Sequence, residues 1–188
     1  MAFTLTEFKS NISKGGGTAR PSLYTIDING RNSQQSFSKE ENLLVKAAQI
    51  PGATIAALPV NYAGRAYKWS GFRTYDNWTV TIINDENFSA RNRMMQWMRL
   101  IGGKMDGTRN TTFGDPLLST SWLDGDAIVT QLGTDGKAKQ KYTFNYLWPT
   151  EISGIAVDWS SDAIQEYTVT FCYDYWTHAA SDQSVPTS

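Results

Sequence analysis

The amino-acid sequence predicts a mainly β fold of the α+β class, a single-domain β-barrel or β-sandwich with one flanking α-helix. Two observations lead to this prediction. Apolar residues recur at every second position in several segments, and only one segment has the spacing of an amphipathic helix. With 188 residues, the chain is also long enough to bury one core.

Two strands are predicted in the first half of the chain. In both, apolar residues alternate with polar ones, which is the pattern of a strand with one face in a core. The apolar positions are Tyr24, Ile26 and Ile28 in the first strand and Trp78, Val80 and Ile82 in the second.

The second half predicts a hairpin and a final strand. The hairpin runs from about residue 127 to residue 146, and its turn contains Asp135 and Gly136. Its return strand places Tyr142, Phe144 and Tyr146 on one face. The final strand alternates in the same way, with Tyr167, Val169, Phe171, Tyr173 and Tyr175 on one side.

The predicted helix begins after the second strand. Asn84 is its expected N-cap, Asp85 lies in its first turn, and Gly102 with Gly103 ends it. We expect its apolar stripe to pack on the sheet. The stripe consists of Phe88, Met94, Met95, Trp97, Met98 and Ile101.

The two ends and one internal segment have the composition of irregular chain. Residues 1–18, which contain three consecutive glycines, are interpreted as a flexible N-terminal arm. Residues 19–176 form the predicted domain, and residues 177–188 are interpreted as a flexible C-terminal tail. Residues 30–42 are predicted to be a long surface loop.

Charge and cysteine content narrow the function classes. Lys and Arg total 17 against 18 Asp and Glu, so no global positive field attracts nucleic acid. The sequence has neither a signal-peptide pattern nor a stretch of membrane-spanning length, which predicts synthesis in the cytoplasm and no membrane partner. The single cysteine, Cys172, excludes an internal disulfide.

The sequence offers no residue set for catalysis. Its one histidine, His178, lies in the predicted tail, where a nucleophile–base pair is hard to build. One histidine and one cysteine cannot form a zinc cluster, and the acidic turns lack calcium-loop spacing. We therefore predict a protein that is not an enzyme and that has no catalytic, cofactor-binding or metal-binding residues.

Aromatic residues make up 13% of the chain, and this excess has two interpretations. The rings could pack in the core and between subunits, or they could form stacking platforms for carbohydrate or single-stranded nucleic acid. Strand alternation favours packing. A carbohydrate-binding β-sandwich remains an alternative.

Several ordered blocks together resemble the tail tube proteins of contractile-tailed bacteriophages. The similarity runs from Ala19 to Trp176 and includes ARPSLYTIDI, AAQIPGATIAALPVNYAGRAYKWSG, FRTYDNWTVTIINDENFSARNRMMQWM and LWPTEISGIAVDWSSDAIQEYTVTFCYDYW. The motif residues, which are also candidates for subunit contact, are Arg73, Asp76, Trp78, Asp85, Trp148, Asp158 and Trp159. For Arg73 and Asp76, a turn-fixing role, a subunit contact and a local surface pair all remain open.

This resemblance implies stacked hexameric rings that form the inner tube of a virion tail. The partners would be further copies of the chain, the tail sheath, and baseplate and tail-terminator proteins. Double-stranded DNA would pass through without being gripped, no cofactor would be needed, and the protein would be made in the cytoplasm of the host bacterium. The candidate lumen-facing residues are Thr79, Thr81, Thr168 and Thr170. The tubes of type VI secretion and of phage-derived injection devices, which carry proteins, remain an alternative.

Overall fold

The computed structural model describes residues 4–14, 17–30, 36–102 and 125–180. Strands predominate over helices in these residues, which confirms the predicted fold class. The helices are α1 (Leu5–Lys14), α2 (Lys39–Leu43) and α3 (Ser89–Gly102). The strands are β1 (Tyr24–Asn29), β2 (Val45–Ala48), β3 (Thr54–Tyr62), β4 (Arg65–Thr74), β5 (Trp78–Ile83), β6 (Gly125–Leu132), β7 (Ala138–Ile152), β8 (Glu166–Cys172) and β9 (Tyr175–Ala180).

Seven strands form one antiparallel sheet in the order β1-β6-β7-β8-β5-β2, with β9 added to β7. Strand β7 is 15 residues long and serves both parts of the sheet. Its N-terminal part pairs with β6 and β9, and its C-terminal part pairs with β8. The first half-sheet is therefore β1, β6, β9 and the start of β7, and the second half-sheet is β2, β5, β8 and the end of β7.

The end strands of the sheet approach each other beside α2. The Tyr24 hydroxyl on β1 donates its single proton in a hydrogen bond shared between the carbonyl oxygens of Val45 and Lys46 on β2. The Ile28 backbone N–H donates to Asn42 Oδ1 at 3.0 Å, so α2 occupies the seam between these strands. The sheet is thus an incompletely closed barrel around one core.

Aromatic rings connect the two half-sheets inside the barrel. Trp78 of β5 stacks on Phe144 of β7 with ring centroids 4.4 Å apart, and it lies 5.6 Å from Phe171 of β8. The alternating apolar residues predicted for these strands are buried around the rings, which confirms their predicted core face. They include Ile26, Ile28, Val80, Ile82, Tyr167 and Val169.

Helix α3 begins at Ser89, four residues after the predicted first helical residue, Asp85. The Asp85 carboxylate caps it by accepting hydrogen bonds from Ser89 N at 2.9 Å and from Ser89 Oγ at 2.7 Å. Phe88 has a left-handed backbone with φ of 54°, which prevents the helix from extending backwards. Asn84, the predicted cap, instead donates from its side chain to Gln165 Oε1.

The inner face of α3 is partly the predicted stripe. Met94 and Trp97 are fully buried, and the Trp97 ring lies 6.3 Å from the Phe171 ring, so packing on the sheet is confirmed for them. Phe88 precedes the helix and is 42% exposed, so its assignment to the stripe was wrong. A Cβ added to Gly125 would lie 2.4 Å from Trp97 Cη2, so the large indole depends on glycine at that position.

The predicted hairpin is confirmed as β6 and β7, with Gly136 at φ of 72° in its turn. Two aromatic positions differ from the prediction. Tyr146 sits at a bulge with φ of 58° and is exposed, because Leu147 takes the next inward position. Tyr175 is also exposed, because the chain turns after β8 and Tyr175 begins β9.

The segments predicted to be irregular contain regular structure. Helix α1 lies within the predicted arm and buries none of its residues. Helix α2 lies at the end of the predicted loop, and Ser38 with Glu41 forms its capping box. Strand β9 continues to Ala180 and pairs with β7, so the predicted tail starts too early. Residues 181–188 and 31–35 lie outside the described residues.

Strands β3 and β4 form a separate two-stranded ribbon, here called the ribbon (residues 54–74), which the sequence analysis missed. Its register continues that of β2 and β5. Ala48 pairs with Val80 and Thr54 pairs with Thr74, so five residues intervene on each side. A two-residue turn closes the ribbon with positive φ at Ala63 and Gly64, as a type I′ turn requires.

Two tryptophan side chains of the barrel hold the base of the ribbon. Trp78 Nε1 donates to the Gln49 carbonyl oxygen at 2.8 Å. Trp176 Nε1, on β9, donates to the Gly52 carbonyl oxygen at 3.0 Å. These bonds come from opposite half-sheets, so they fix the ribbon to both.

Replacing Trp97 with alanine should lower the free energy of unfolding by about 3–5 kcal/mol, because it empties a fully buried indole site. Chemical denaturation measures the change. The exposed neighbour Gln96→Ala serves as the control and should change stability little. Unchanged stability of the Trp97 variant would contradict the assigned packing.

Replacing Trp176 with phenylalanine removes the hydrogen bond to Gly52 and keeps an aromatic ring. Amide exchange at Ile50, Gly52 and Ala53 should become severalfold faster, with at most about 1 kcal/mol lost from global stability. Hydrogen exchange with mass spectrometry measures this. Tyr175→Phe, in the same strand, should leave exchange at these amides unchanged; equal exchange in both variants would argue against the Trp176 bond as a restraint.

Candidate assembly surfaces

The ribbon exposes an apolar face that the other described residues of the subunit leave uncovered. Strand alternation and register put residues of β3 and β4 on the same side in facing pairs, so this side can be identified directly. The side carries Leu58 opposite Trp69, Val60 opposite Tyr67, and Tyr62 opposite Arg65. Trp69 is 68% exposed and Tyr62 is 74% exposed. The other side carries Ile55 at the base and is otherwise mainly small or polar, with Asn61, Lys68 and Ser70.

A second exposed apolar cluster lies in the loop of residues 153–165 between β7 and β8. Val157, Trp159 and Ile164 are all largely exposed, and Trp159 is fully so. The Asp158 carboxylate accepts hydrogen bonds from Ser160 N at 2.9 Å and Ser160 Oγ at 2.8 Å, which shape the turn that presents Trp159. These bonds hold the pKa of Asp158 below its ordinary value, so the loop keeps its negative charge.

The four candidate lumen residues lie together on the second half-sheet, on the face turned away from the core. Thr79 is directly opposite Thr170, and Thr81 is opposite Thr168. The hydroxyl oxygens of Thr79 and Thr170 are 3.5 Å apart. Lys46 and Glu166 form an ion pair of 2.6 Å next to them. The face is therefore polar and locally neutral; its orientation toward a lumen stays a prediction.

Four of the motif residues take distinct positions. Arg73 and Asp76 are exposed near the base of the ribbon, and within the described residues no ion pair joins them to each other. Trp78 is buried in the core of its own subunit, and Trp148 is partly buried where it pairs with Cys172. A role of these residues in subunit contact remains a prediction.

The acidic motif residue Asp85 acts within the subunit as the cap of α3. Burial raises the pKa of its carboxyl, but hydrogen bonds from Ser89 outweigh that effect and the pKa lies below its ordinary value. The carboxylate is therefore charged at neutral pH, where it also favours the positive end of the helix dipole.

Of the ribbon and loop residues, sequence reasoning identified only Arg73, Asp158 and Trp159. A signal for the ribbon was present: Tyr62 and Arg65 flank a two-residue turn that ends in glycine. The loop residues Val157 and Ile164 have no periodic pattern, so no such signal existed for them.

Cavities in the described part of the chain add no cluster of ligating side chains. One of about 470 Å³ is lined by Thr18, Arg20 and Gln131, and one of about 250 Å³ lies at the ribbon base beside Asp76. Among the described residues, no three His, Cys, Asp or Glu side chains come together. No helix in the same residues is both long and apolar enough to cross a membrane.

Sequence comparison relates the chain to known proteins. A family model described as phage tail tube protein matches residues 6–179. The tail tube protein gp19 of Enterobacteria phage T4 is 32% identical over 165 residues, which cover 87% of this chain and 93% of the relative. The tail tube protein of Serratia phage KSP90 is 24% identical over 183 residues, which cover 96% of this chain and 98% of the relative.

Solved structures share the fold at lower sequence identity. A chain of the anti-feeding prophage tube-terminating cap superposes with a TM-score of 0.62 at 13% identity, covering 87% of this chain and 92% of its own length. A chain of the sheath–tube complex of an extracellular contractile injection system gives a TM-score of 0.58 at 10% identity, covering 95% and 99%. With a family model over nearly the whole sequence and a relative above 30% identity, the chain belongs to the phage tail tube protein family.

Proposed function

We propose that this chain is a structural, non-enzymatic subunit that forms stacked hexameric rings, the inner tube of a contractile phage tail. The rings would lie inside a tail sheath, join a baseplate at one end and a terminator at the other, and pass genome DNA during ejection. Its place is in the virion, after synthesis in the cytoplasm of the host. Family membership supports this proposal, and one structural observation supports the arrangement of subunits in the ring.

That observation is a threonine-faced half-sheet with two strand edges that form no backbone ladder with a further described strand. In the second half-sheet, β2 is the last strand, and residues 148–152 of β7 pair on one side only, with β8, among the described strands. Exposed strand edges pair readily with other chains. Six subunits joined edge to edge would close one continuous barrel, with the edge of β2 meeting the edge of β7 on the next subunit.

The size of such a barrel suits duplex DNA. Six copies of a four-stranded half-sheet give about 24 strands, and strands ~4.8 Å apart and tilted by ~40° give a backbone diameter of ~48 Å. Inward side chains reduce this to a lumen of about 35–40 Å. A B-form duplex is about 20 Å wide, so it passes with water around it.

The threonine face suits the lining of a conduit. Each fixed lysine or arginine that neutralises a phosphate adds affinity that movement of the DNA must break. Hydroxyl groups add no net charge, and Glu166 compensates the charge of Lys46. Transport through a lumen lined by Thr79, Thr81, Thr168 and Thr170 would therefore meet little electrostatic resistance.

Cryo-electron microscopy of the assembled chain should show rings with sixfold symmetry and a channel of about 35–40 Å. The map would also identify which strand face lines the channel. A channel narrower than a DNA duplex, about 20 Å, would contradict the conduit function.

Thr168→Lys and Thr170→Lys should each leave tubes intact and slow DNA ejection, more strongly at low salt than at high salt, because added lysines bind phosphates and salt screens them. Ejection from particles carrying either variant measures the effect. Thr168→Ser, which keeps the hydroxyl, is the control and should eject normally. Loss of folding in both lysine variants would show that this face is packed within the subunit.

A further inference from the structure

The ribbon and the loop of residues 153–165 leave the second half-sheet at opposite ends. Pairing between β5 and β8 runs from Trp78 with Phe171 to Ile83 with Glu166. The ribbon precedes Trp78, whereas the loop precedes Glu166. Five residue steps at ~3.4 Å separate the two exits by about 17 Å. A copy translated along the strand direction would therefore bring its loop toward the ribbon of the next copy.

The ribbon has the length to bridge two copies. Strand β3 has nine residues, so at ~3.3 Å per residue the ribbon reaches about 30 Å from its base. The indole bonds from Trp78 and Trp176 hold that base to the barrel, so the ribbon is a directed projection.

The two surfaces are chemically complementary. Both present exposed apolar side chains, including Leu58 and Trp69 on the ribbon and Val157 and Trp159 on the loop. Together they form the type of aromatic-rich patch that marks protein interfaces. Contact would remove both patches from water.

Their charges are also opposite. Residues 54–74 contain Arg65, Lys68 and Arg73 and no acidic residue. Residues 153–165 contain Asp158 and Asp162 and no basic residue. Arg65 stands on the apolar side of the ribbon, opposite Tyr62, so it would enter the contact together with the aromatic rings. Lys68 lies on the other side of the ribbon and would stay outside the contact.

We propose that the apolar side of the ribbon of one subunit docks on the loop of residues 153–165 of a second copy in the next ring. This inference rests on the proposed tube function and assigns the surfaces that join ring to ring. Arg65 of the ribbon faces the acidic side chains of that loop, and Trp159 packs among Leu58, Tyr67 and Trp69.

Charge reversal tests the contact. Arg65→Glu should raise the protein concentration needed for tube formation about threefold to tenfold, as loss and reversal of an interface charge predicts. Adding Asp162→Arg to that variant should restore assembly to within about twofold of wild type. Lys68→Glu is the matched control from the other side of the ribbon and should assemble normally. Sedimentation of the purified chain measures assembly.

The results distinguish a failure of the proposed function from a failure of the docking assignment. If the wild type forms no rings at any concentration, the proposed function fails. If rings stack normally with Arg65→Glu, or if Lys68→Glu impairs stacking equally, the docking assignment fails. Failure of Asp162→Arg to restore the Arg65 variant also overturns it.

Crosslinking identifies the ring of the partner copy. Tyr62→Cys and Ala163→Cys, combined with Cys172→Ser and treated with a bifunctional thiol reagent, should give covalent chains longer than one ring, because each link would join successive rings. A series of crosslinked products no larger than one ring would place the ribbon on a neighbour in the same ring. Absence of crosslinks in assembled tubes would place the ribbon away from the loop; either outcome overturns the proposal.

Discussion

Trp78 is the residue on which the barrel and the ribbon both depend. Its ring stacks on Phe144 and contacts Phe171, so it joins the two half-sheets in the core. Its indole N–H leaves that core to bind the Gln49 carbonyl oxygen at the base of the ribbon. The N–H of a buried tryptophan usually finds such a partner. Because one side chain meets both needs, the direction of the ribbon follows from the packing of the interior.

The sequence predicted the elements whose two faces meet different surroundings. Val80 and Ile82 face the core while Thr79 and Thr81 face away, so alternation identified β5 and its polar face. The ribbon was not predicted, because both of its faces are exposed within the subunit and its sequence lacks the alternation that a core face produces. The start of α3 was misplaced because Asp85 caps a helix that begins only after the turn at Phe88. The surroundings of the threonine face depend on other copies of the chain. The periodicity of one sequence therefore does not predict them.

The division of apolar surface separates folding from association. The core uses alternating residues such as Val80 and Val169 and is complete within one subunit. Large side chains such as Trp69 and Trp159 stay in water until another surface covers them. Exposed apolar side chains lower the solubility of the free subunit. The charges of Arg65 and Asp158 oppose this effect, because they keep both patches hydrated before contact. Under the proposed docking, stability of the subunit and strength of the assembly are set by different residues.

The exit of the ribbon and the loop from opposite ends of one half-sheet also has a consequence for growth. A surface that binds a different surface on the next copy repeats without closing, in contrast to a self-complementary dimer contact. Every filament built in this way has one end that presents free ribbons and another that presents free loops. The two ends are chemically unlike, so addition has a direction, and a starting partner and a stopping partner must recognise different groups. The repeated contact sets no limit on the number of subunits, so another molecule has to determine the length of the polymer.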